Sequence, residues 1–220
     1  MITRKANKLF WDKYLYKLGV MNTGASIFRN KRLDQARDII DSLNLQYMKG
    51  EPIGYKPSRW SQKKTDISQN DLHDLKILIN AFQDDVEYML RCEGFRLGIY
   101  SNNAKWLKRI GKKLHDVPWL WEPKNINAKA NIIYVDEPFP YEYKVFLNGT
   151  AHPNFYDWCL NNKDKVRVGD MLLRSFKSSS ELRGRYMYAK NEKVLTLIRM
   201  FLHDNIIRLD KIVHQTNTDK

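Results

Sequence analysis

Between positions 105 and 113, Lys105, Lys108, Arg109, Lys112 and Lys113 stand at i, i+3, i+4, i+7 and i+8, the spacing of one face of a helix. Trp106, Leu107, Ile110 and Leu114 take the other face, and no Asp or Glu falls among them. Like charges one turn apart repel by a few tenths of a kcal/mol per pair, about 0.2–0.5, so folding alone does not select this stripe. A phosphate backbone would relieve the repulsion, because each neutralised phosphate releases a counterion. The stripe is therefore expected to stay unpaired and to contact nucleic acid.

A second set mixes cations with rings. Arg174 and Lys177 on one expected strand, and Arg183 and Arg185 before Tyr186 and Tyr188 on the next, suit a sheet on which bases stack while Arg holds phosphate. Bond-making chemistry has less to stand on. There is no GxxxxGK[ST] phosphate loop, GxGxxG, HExxH or GxSxG. His152, before a helix carrying Asp157, and His203-Asp204 could act as general acid and base in a metal-independent ribonuclease. Asp84-Asp85 and Asp136-Glu137 read as solvated loop and linker residues. Cys92 and Cys159 belong to no CxxC or Cys/His cluster, so neither metal nor disulfide is expected, and no cofactor.

Composition agrees with a polyanionic partner. The 220 residues carry 38 Lys and Arg against 25 Asp and Glu, a net charge of +13. No run approaches the roughly 18 apolar residues of a membrane span, and the first residues lack the apolar stretch of a signal peptide. A cytoplasmic protein, or one held in a nucleoprotein particle such as a virion, is expected, neither secreted nor bound to membrane.

The elements that must position these residues recur. Tyr14-Leu15-Tyr16-Lys17 returns as Tyr141-Glu142-Tyr143-Lys144. Tyr100, Asn103, Lys105, Leu107 and Ile110 return as Tyr188, Asn191, Lys193, Leu195 and Ile198, a shared Y-x-x-N-x-K-x-L-x-x-I. The offsets, 141 − 14 = 127 and 188 − 100 = 88, require an insertion in the first half, placed at about 48–83.

In the second half, period-2 and period-3.6 patterns predict a strand over 141–147, a helix over 154–162 and a strand over 165–176. A strand over 185–189, a helix over 192–202 and a strand over 206–214 complete it. The order is βαββαβ, the split βαβ unit of ferredoxin-like folds. The first half predicts a strand over 14–20, a helix with Leu33, Ala36, Ile40 and Leu43 inward, a hairpin of 86–91 and 95–100, and a helix over 105–114. Its closing strand is either 117–121 or 132–135. The expected fold is α+β, two ferredoxin-like halves over 1–121 and 141–214 related by internal duplication with a helical insertion in the first, joined by a linker over 122–140 and followed by a tail over 215–220.

Arg183-Gly184-Arg185-Tyr186-Met187-Tyr188 resembles the third-strand motif of RNA-recognition-motif domains, and Val145-Phe146-Leu147-Asn148-Gly149 resembles their first-strand motif. Arg185 stands where that family has its first aromatic, Asn148 comes one residue early, and Gly19 takes the first-strand aromatic position of the first half. Tandem ferredoxin-like halves are also similar to the RNA-processing proteins of CRISPR systems and to LAGLIDADG endonucleases, whose glycine-rich loop and acidic helix motif are missing. The resemblance implies single-stranded nucleic acid as ligand. The expectation is a non-enzymatic protein that binds RNA or single-stranded DNA through the basic helix and adjoining sheet. The alternatives are a structural or assembly subunit of a large nucleoprotein particle, with other protein subunits as partners, and the ribonuclease above.

Overall fold

The computed structural model of the chain describes residues 1–29, 32–56 and 64–215. It is an α+β protein with two five-stranded mixed sheets and six helices among the described residues, divided into one compact unit over 1–126 and another over 127–220.

The first unit runs β1 (Ile2–Ala6), β2 (Tyr16–Met21), α1 (Leu33–Met48), β3 (Gly54–Tyr55), β4 (Thr65–Asp66), α2 (Gln69–Ala81), β5 (Tyr88–Glu93), β6 (Arg96–Ser101), α3 (Ala104–Gly111) and β7 (Trp119–Pro123). Its sheet order is β1-β7-β2-β6-β5, with β1 parallel to β7 and every other pair antiparallel. The hairpin β5–β6 turns at Gly94, whose φ of +59° is the left-handed region that glycine enters without a Cβ penalty. Asn103 caps α3 by accepting the Trp106 N–H at 2.9 Å. Leu18 and Val20 of β2, Leu97 and Ile99 of β6, Ile40 of α1, Leu75 of α2 and Leu107 of α3 share one buried core on one side of the sheet.

The second unit runs β8 (Ile132–Val135), β9 (Tyr143–Leu147), α4 (Pro153–Asn161), β10 (Val166–Arg167), α5 (Asp170–Lys177), β11 (Arg185–Ala189), α6 (Glu192–Leu202) and β12 (Ile206–His214). Its order is β10-β11-β9-β12-β8, with β8 parallel to β12 and the other pairs antiparallel. Read from β8, this is the pairing scheme of the first sheet strand for strand. Asn191 caps α6 by accepting the Val194 N–H at 3.1 Å, as Asn103 caps α3. Val145, Leu147, Phe155, Phe176, Met187 and Ile198 fill the second core.

Several expectations are corrected. The strand over 165–176 is only Val166–Arg167. Gly169 ends the alternation, and Leu172, Ser175 and Phe176 then bury one face of α5, with Asp170 in its first turn and Arg174 and Lys177 in its last, where the helix dipole favours those signs. Arg174 and Lys177 therefore lie on a helix and flank no strand. The closing strand of the first sheet is Trp119–Pro123, while Ile132–Val135, inside the stretch expected to be linker, is an edge strand of the second sheet. Strand β1, with four of its five residues exposed, offers no apolar alternation to read. The expected insertion holds the short β3–β4 hairpin and α2, whose Leu72, Leu75, Leu78 and Ile79 join the core, while its residues 57–63 lie outside the described residues. The expected tail lies there too from 216 on. Among the described residues no helix is long and apolar enough to cross a membrane.

Candidate nucleic-acid interface

Helix α3 buries Trp106, Leu107 and Ile110 and leaves Lys105, Lys108 and Arg109 exposed, with Lys112 and Lys113 exposed just past its end. The five cations do share the outward side, but they are not all unpaired. Lys108 Nζ lies 2.8 Å from Glu122 Oε1 on β7, and Arg109 Nη2 lies 2.6 Å from Asp84 Oδ2 in the loop after α2. The hydrogen bond from Lys108 holds the Glu122 carboxyl below its ordinary value, and the bond to Glu122 raises Lys108. Asp84 also accepts the indole N–H of buried Trp106 at 2.8 Å. Only Lys105, Lys112 and Lys113 have no carboxylate partner among the described residues. The neutralising acids come from other elements, so the expectation of five free cations holds for three.

The denser arrangement is on the side of the first sheet away from its core. Strand alternation puts there the residues between the core positions, and register sets them in rows. One row crosses from β5 to β1 as Met89, Tyr100, Lys17, Trp121 and Arg4. The next is Arg91, Gly98, Gly19, Trp119 and Ile2. Arg4 lies over the rings of Trp119 and Trp121, 5.9 and 5.5 Å from their centroids. Lys17 lies 4.9 Å from Trp121 and 5.5 Å from Tyr100, and Arg91 lies 5.0 Å from Trp11, which meets Tyr100 edge-on. Each cation–ring contact is worth about 0.5–1 kcal/mol at an exposed site. The paired glycines leave a trough of about 310 Å³. A Cβ on Gly19 would stand 2.8 Å from Trp121 Cζ3, and one on Gly98 would stand 3.0 Å from the Tyr100 hydroxyl, so the glycines let both rings lean over the backbone.

On the second sheet the corresponding side carries Tyr186 and Tyr188 of β11 opposite Phe146 and Lys144 of β9, which face Arg208 and Asp210 of β12. Lys144 lies 3.7 Å from the Tyr186 centroid and 5.8 Å from that of Tyr188, and Arg208 lies 5.5 Å from Phe146 while bonding Asp210 at 2.7 Å. Tyr186 is 45% exposed. Burial raises the Tyr188 hydroxyl above its ordinary value, with Tyr186 adding to the shift. Arg185 shares the alternation of buried Met187 and Ala189 and so belongs to the opposite side of the sheet from the tyrosines. Arg183 is exposed in the turn before β11, Arg174 is exposed on α5, and Lys177 there reaches to 6.0 Å from the Tyr156 ring.

The expected site is thus dispersed: a stripe in the first unit, two tyrosines on the core-averted face of the second sheet, where Phe139 and Tyr141 pack on half-buried Tyr188, and four other cations around α5 and β11. Sequence reasoning missed Arg4, Lys17, Arg91, Trp119 and Trp121, and Arg96, which also lines the trough. On β2 and β7 the signal was there, aromatic or charged residues alternating with Leu and Val, but β1 gave none for Arg4, and which side these residues share depends on pairing between distant strands. The two histidines serve helix ends: His152 Nδ1 accepts the Asn154 N–H at 3.3 Å to cap α4, and His203, at φ +38°, ends α6. A different histidine has a buried carboxylate: Asp74 accepts the His115 backbone N–H at 3.0 Å and lies 3.1 Å from its Nδ1, tying α2 to the turn after α3. Comparison with protein-family models, with curated proteins and with solved structures returned no match.

Proposed function

We propose that the chain binds RNA or single-stranded DNA without catalysis, bases stacking on the core-averted faces of two ferredoxin-like halves that arose by duplication. The observation that carries this is the placement of cations over ring faces on both sheets. A base offers each ring a larger apolar partner, and the displaced cation then meets the phosphate that arrives with it. Lys105, Lys112 and Lys113 add sequence-independent phosphate contacts. The duplication is supported by the common pairing scheme and by register: the two recurrent segments place Lys17 opposite Tyr100 and Lys144 opposite Tyr188. Without the edge strands β1 and β8, each sheet has the 4-1-3-2 strand order of a βαββαβ unit, although in the second sheet α5 stands between the second and third of those strands.

The test is fluorescence anisotropy of labelled RNA, single-stranded DNA and duplex with the whole chain at two salt concentrations. Tighter binding of single strands than of duplex, weakened by salt, is the expected result. No binding at low salt overturns the proposal.

A second reading, a subunit of a nucleoprotein particle, draws on the outer face of α6, where Leu197, Met200 and Phe201 are exposed at 42%, 65% and 37%. Concentration-dependent assembly in the presence of oligonucleotide, abolished by Met200→Glu, would favour it.

A further inference from the structure

The two sheets differ most at their centres. The recurrent segments set Gly19 against Phe146 (19 + 127 = 146) and Gly98 against Tyr186 (98 + 88 = 186), and each pair is directly opposed across its own two strands. Where the second sheet presents two rings side by side, the first has two glycines over which Trp121 and Tyr100 lean, and a trough lies beside those rings. Phe146 and Tyr186, tilted 52° to each other, offer ring faces on which any base can stack. A hollow about 310 Å³ in volume, at the low end of the roughly 300–1,000 Å³ usual for small-molecule pockets, can surround one and read its edge.

The groups around the hollow are sorted by chemistry along the row direction. At the β1–β7 end stand Arg4 and the Trp119 and Trp121 rings, with Lys17 next to them; at the β5–β6 end stand Arg91, Arg96 and Glu93, the last two directly opposed across β5–β6. Glu93 is the one carboxylate lining the hollow among the described residues, and it pairs with Arg91. Both ends carry two cations, but Glu93 repels phosphate from the β5–β6 end, which favours one sense: phosphate toward Arg4 and Lys17, ring against the tryptophans, base edge toward Arg91, Glu93 and Arg96. An edge that meets guanidinium and carboxylate together must offer paired acceptors and paired donors. Guanine does so most fully, with O6 and N7 accepting from an Arg fork and N1–H and N2–H donating to both oxygens of one carboxylate. Adenine and uracil offer a carboxylate no such donor pair, and cytosine offers a single amino group.

We propose that the trough on the first sheet holds one guanine nucleotide of the bound strand, its phosphate on Arg4 and Lys17 and its base read by Glu93 with Arg91 and Arg96. This rests on the nucleic-acid reading above. The second sheet then supplies base-tolerant affinity and the first supplies preference.

The experiment compares a labelled uridine-only oligonucleotide with the same oligomer carrying one central guanosine, and with adenosine or cytidine at that position, on the whole wild-type chain and on Glu93→Gln. One good bidentate base contact corresponds to a preference of about tenfold or more. The expected result is that preference for guanosine in the wild type, shrinking to about twofold or less in Glu93→Gln, whose uridine-only affinity rises because a negative charge has left a cationic site. Equal affinities in the wild type, preference for adenosine or cytidine, or a guanosine preference that survives Glu93→Gln would each overturn the inference while leaving base stacking standing. Failure of every oligomer to bind at low salt would overturn both. A second variant, Arg96→Ala, guards against a misfolded Glu93→Gln: it should also reduce the guanosine ratio, and an unchanged ratio counts against the assignment.

Discussion

Lys17 of β2 lies directly across from Tyr100 of β6, with its ammonium 5.5 Å from the ring centroid; in the second unit Lys144 lies across from Tyr188 at 5.8 Å. The same cation–ring pair therefore occupies the same central position of both sheets. It couples the two recurrent segments, because Lys17 belongs to one and Tyr100 to the other. Tyr100 is buried against Phe10 and Trp11, so bases are expected to displace the cations from the more exposed rings beside it, and stacking and charge should then separate in a binding measurement.

Replacing Tyr186 or Tyr188, or Trp119 or Trp121, by Ala should each cost about 1–3 kcal/mol of single-strand affinity for every base that stacks there. Plots of log affinity against log salt should shift down without changing slope, since no phosphate contact is lost. A parallel loss of slope would show that these rings act only by placing cations.

The α3 stripe makes the opposite prediction. Lys105→Glu, Lys112→Glu and Lys113→Glu together should reduce the salt slope by about 2, at roughly 0.7 per phosphate contact on a single strand. Lys108→Ala and Arg109→Ala should change it less, because Glu122 and Asp84 already hold those two cations. Single Ala replacements that change the slope equally at all five positions would remove the distinction drawn from the ion pairs.

Asp84 serves the fold before it serves anything else. Asp84→Ala leaves the indole N–H of Trp106, 3% exposed, without its acceptor, and should lower unfolding stability by about 1–3 kcal/mol in urea titration. Asp84→Asn keeps an acceptor oxygen and should lose less, while both variants release Arg109 and should raise affinity for single strands at low salt.

The two capping asparagines should behave alike. Asn103→Ala and Asn191→Ala each remove the side-chain acceptor at the first turn of a helix and should cost about 0.5–2 kcal/mol in denaturant midpoints. A cost at one and none at the other would weaken the case that they are equivalent positions.

Acid sensitivity should trace in part to Glu122. Its carboxyl is held low chiefly by the hydrogen bond from Lys108, so the folded chain gives up that proton more readily than the unfolded chain does. The resulting stabilisation is present above the ordinary carboxylate pKa and disappears as pH falls through the lowered folded value. Urea midpoints taken from about pH 7 down to about pH 3 should therefore fall less steeply for Glu122→Gln than for wild type.

What local chemistry dictates was readable from the residues. In Y-x-x-N-x-K-x-L-x-x-I the Asn caps the helix, the Leu and Ile turn inward and the Lys stays exposed in both units: Leu107 and Leu195 are both at 0% exposure. Such roles follow from helical period and capping, which need no partner beyond a few residues away. The hairpin turn at Gly94 was legible for the same reason. Helix α5 was misread because Val166, Val168 and Leu172 continue a period of two across Gly169, and only the packing of Phe176 and Leu172 into the second core settles the choice.

Sequence by itself determined the α+β character, the basic stripe and the recurrence. Tertiary structure decided which cations remain unpaired and which rings share a face. Asp84 and Glu122 reach α3 from other elements, and Arg4 meets Trp121, like Gly19 meeting Gly98, through strand register. Register joins residues about a hundred positions apart only once the chain has collapsed, and the charge and shape of this surface are properties of that pairing rather than of any one segment.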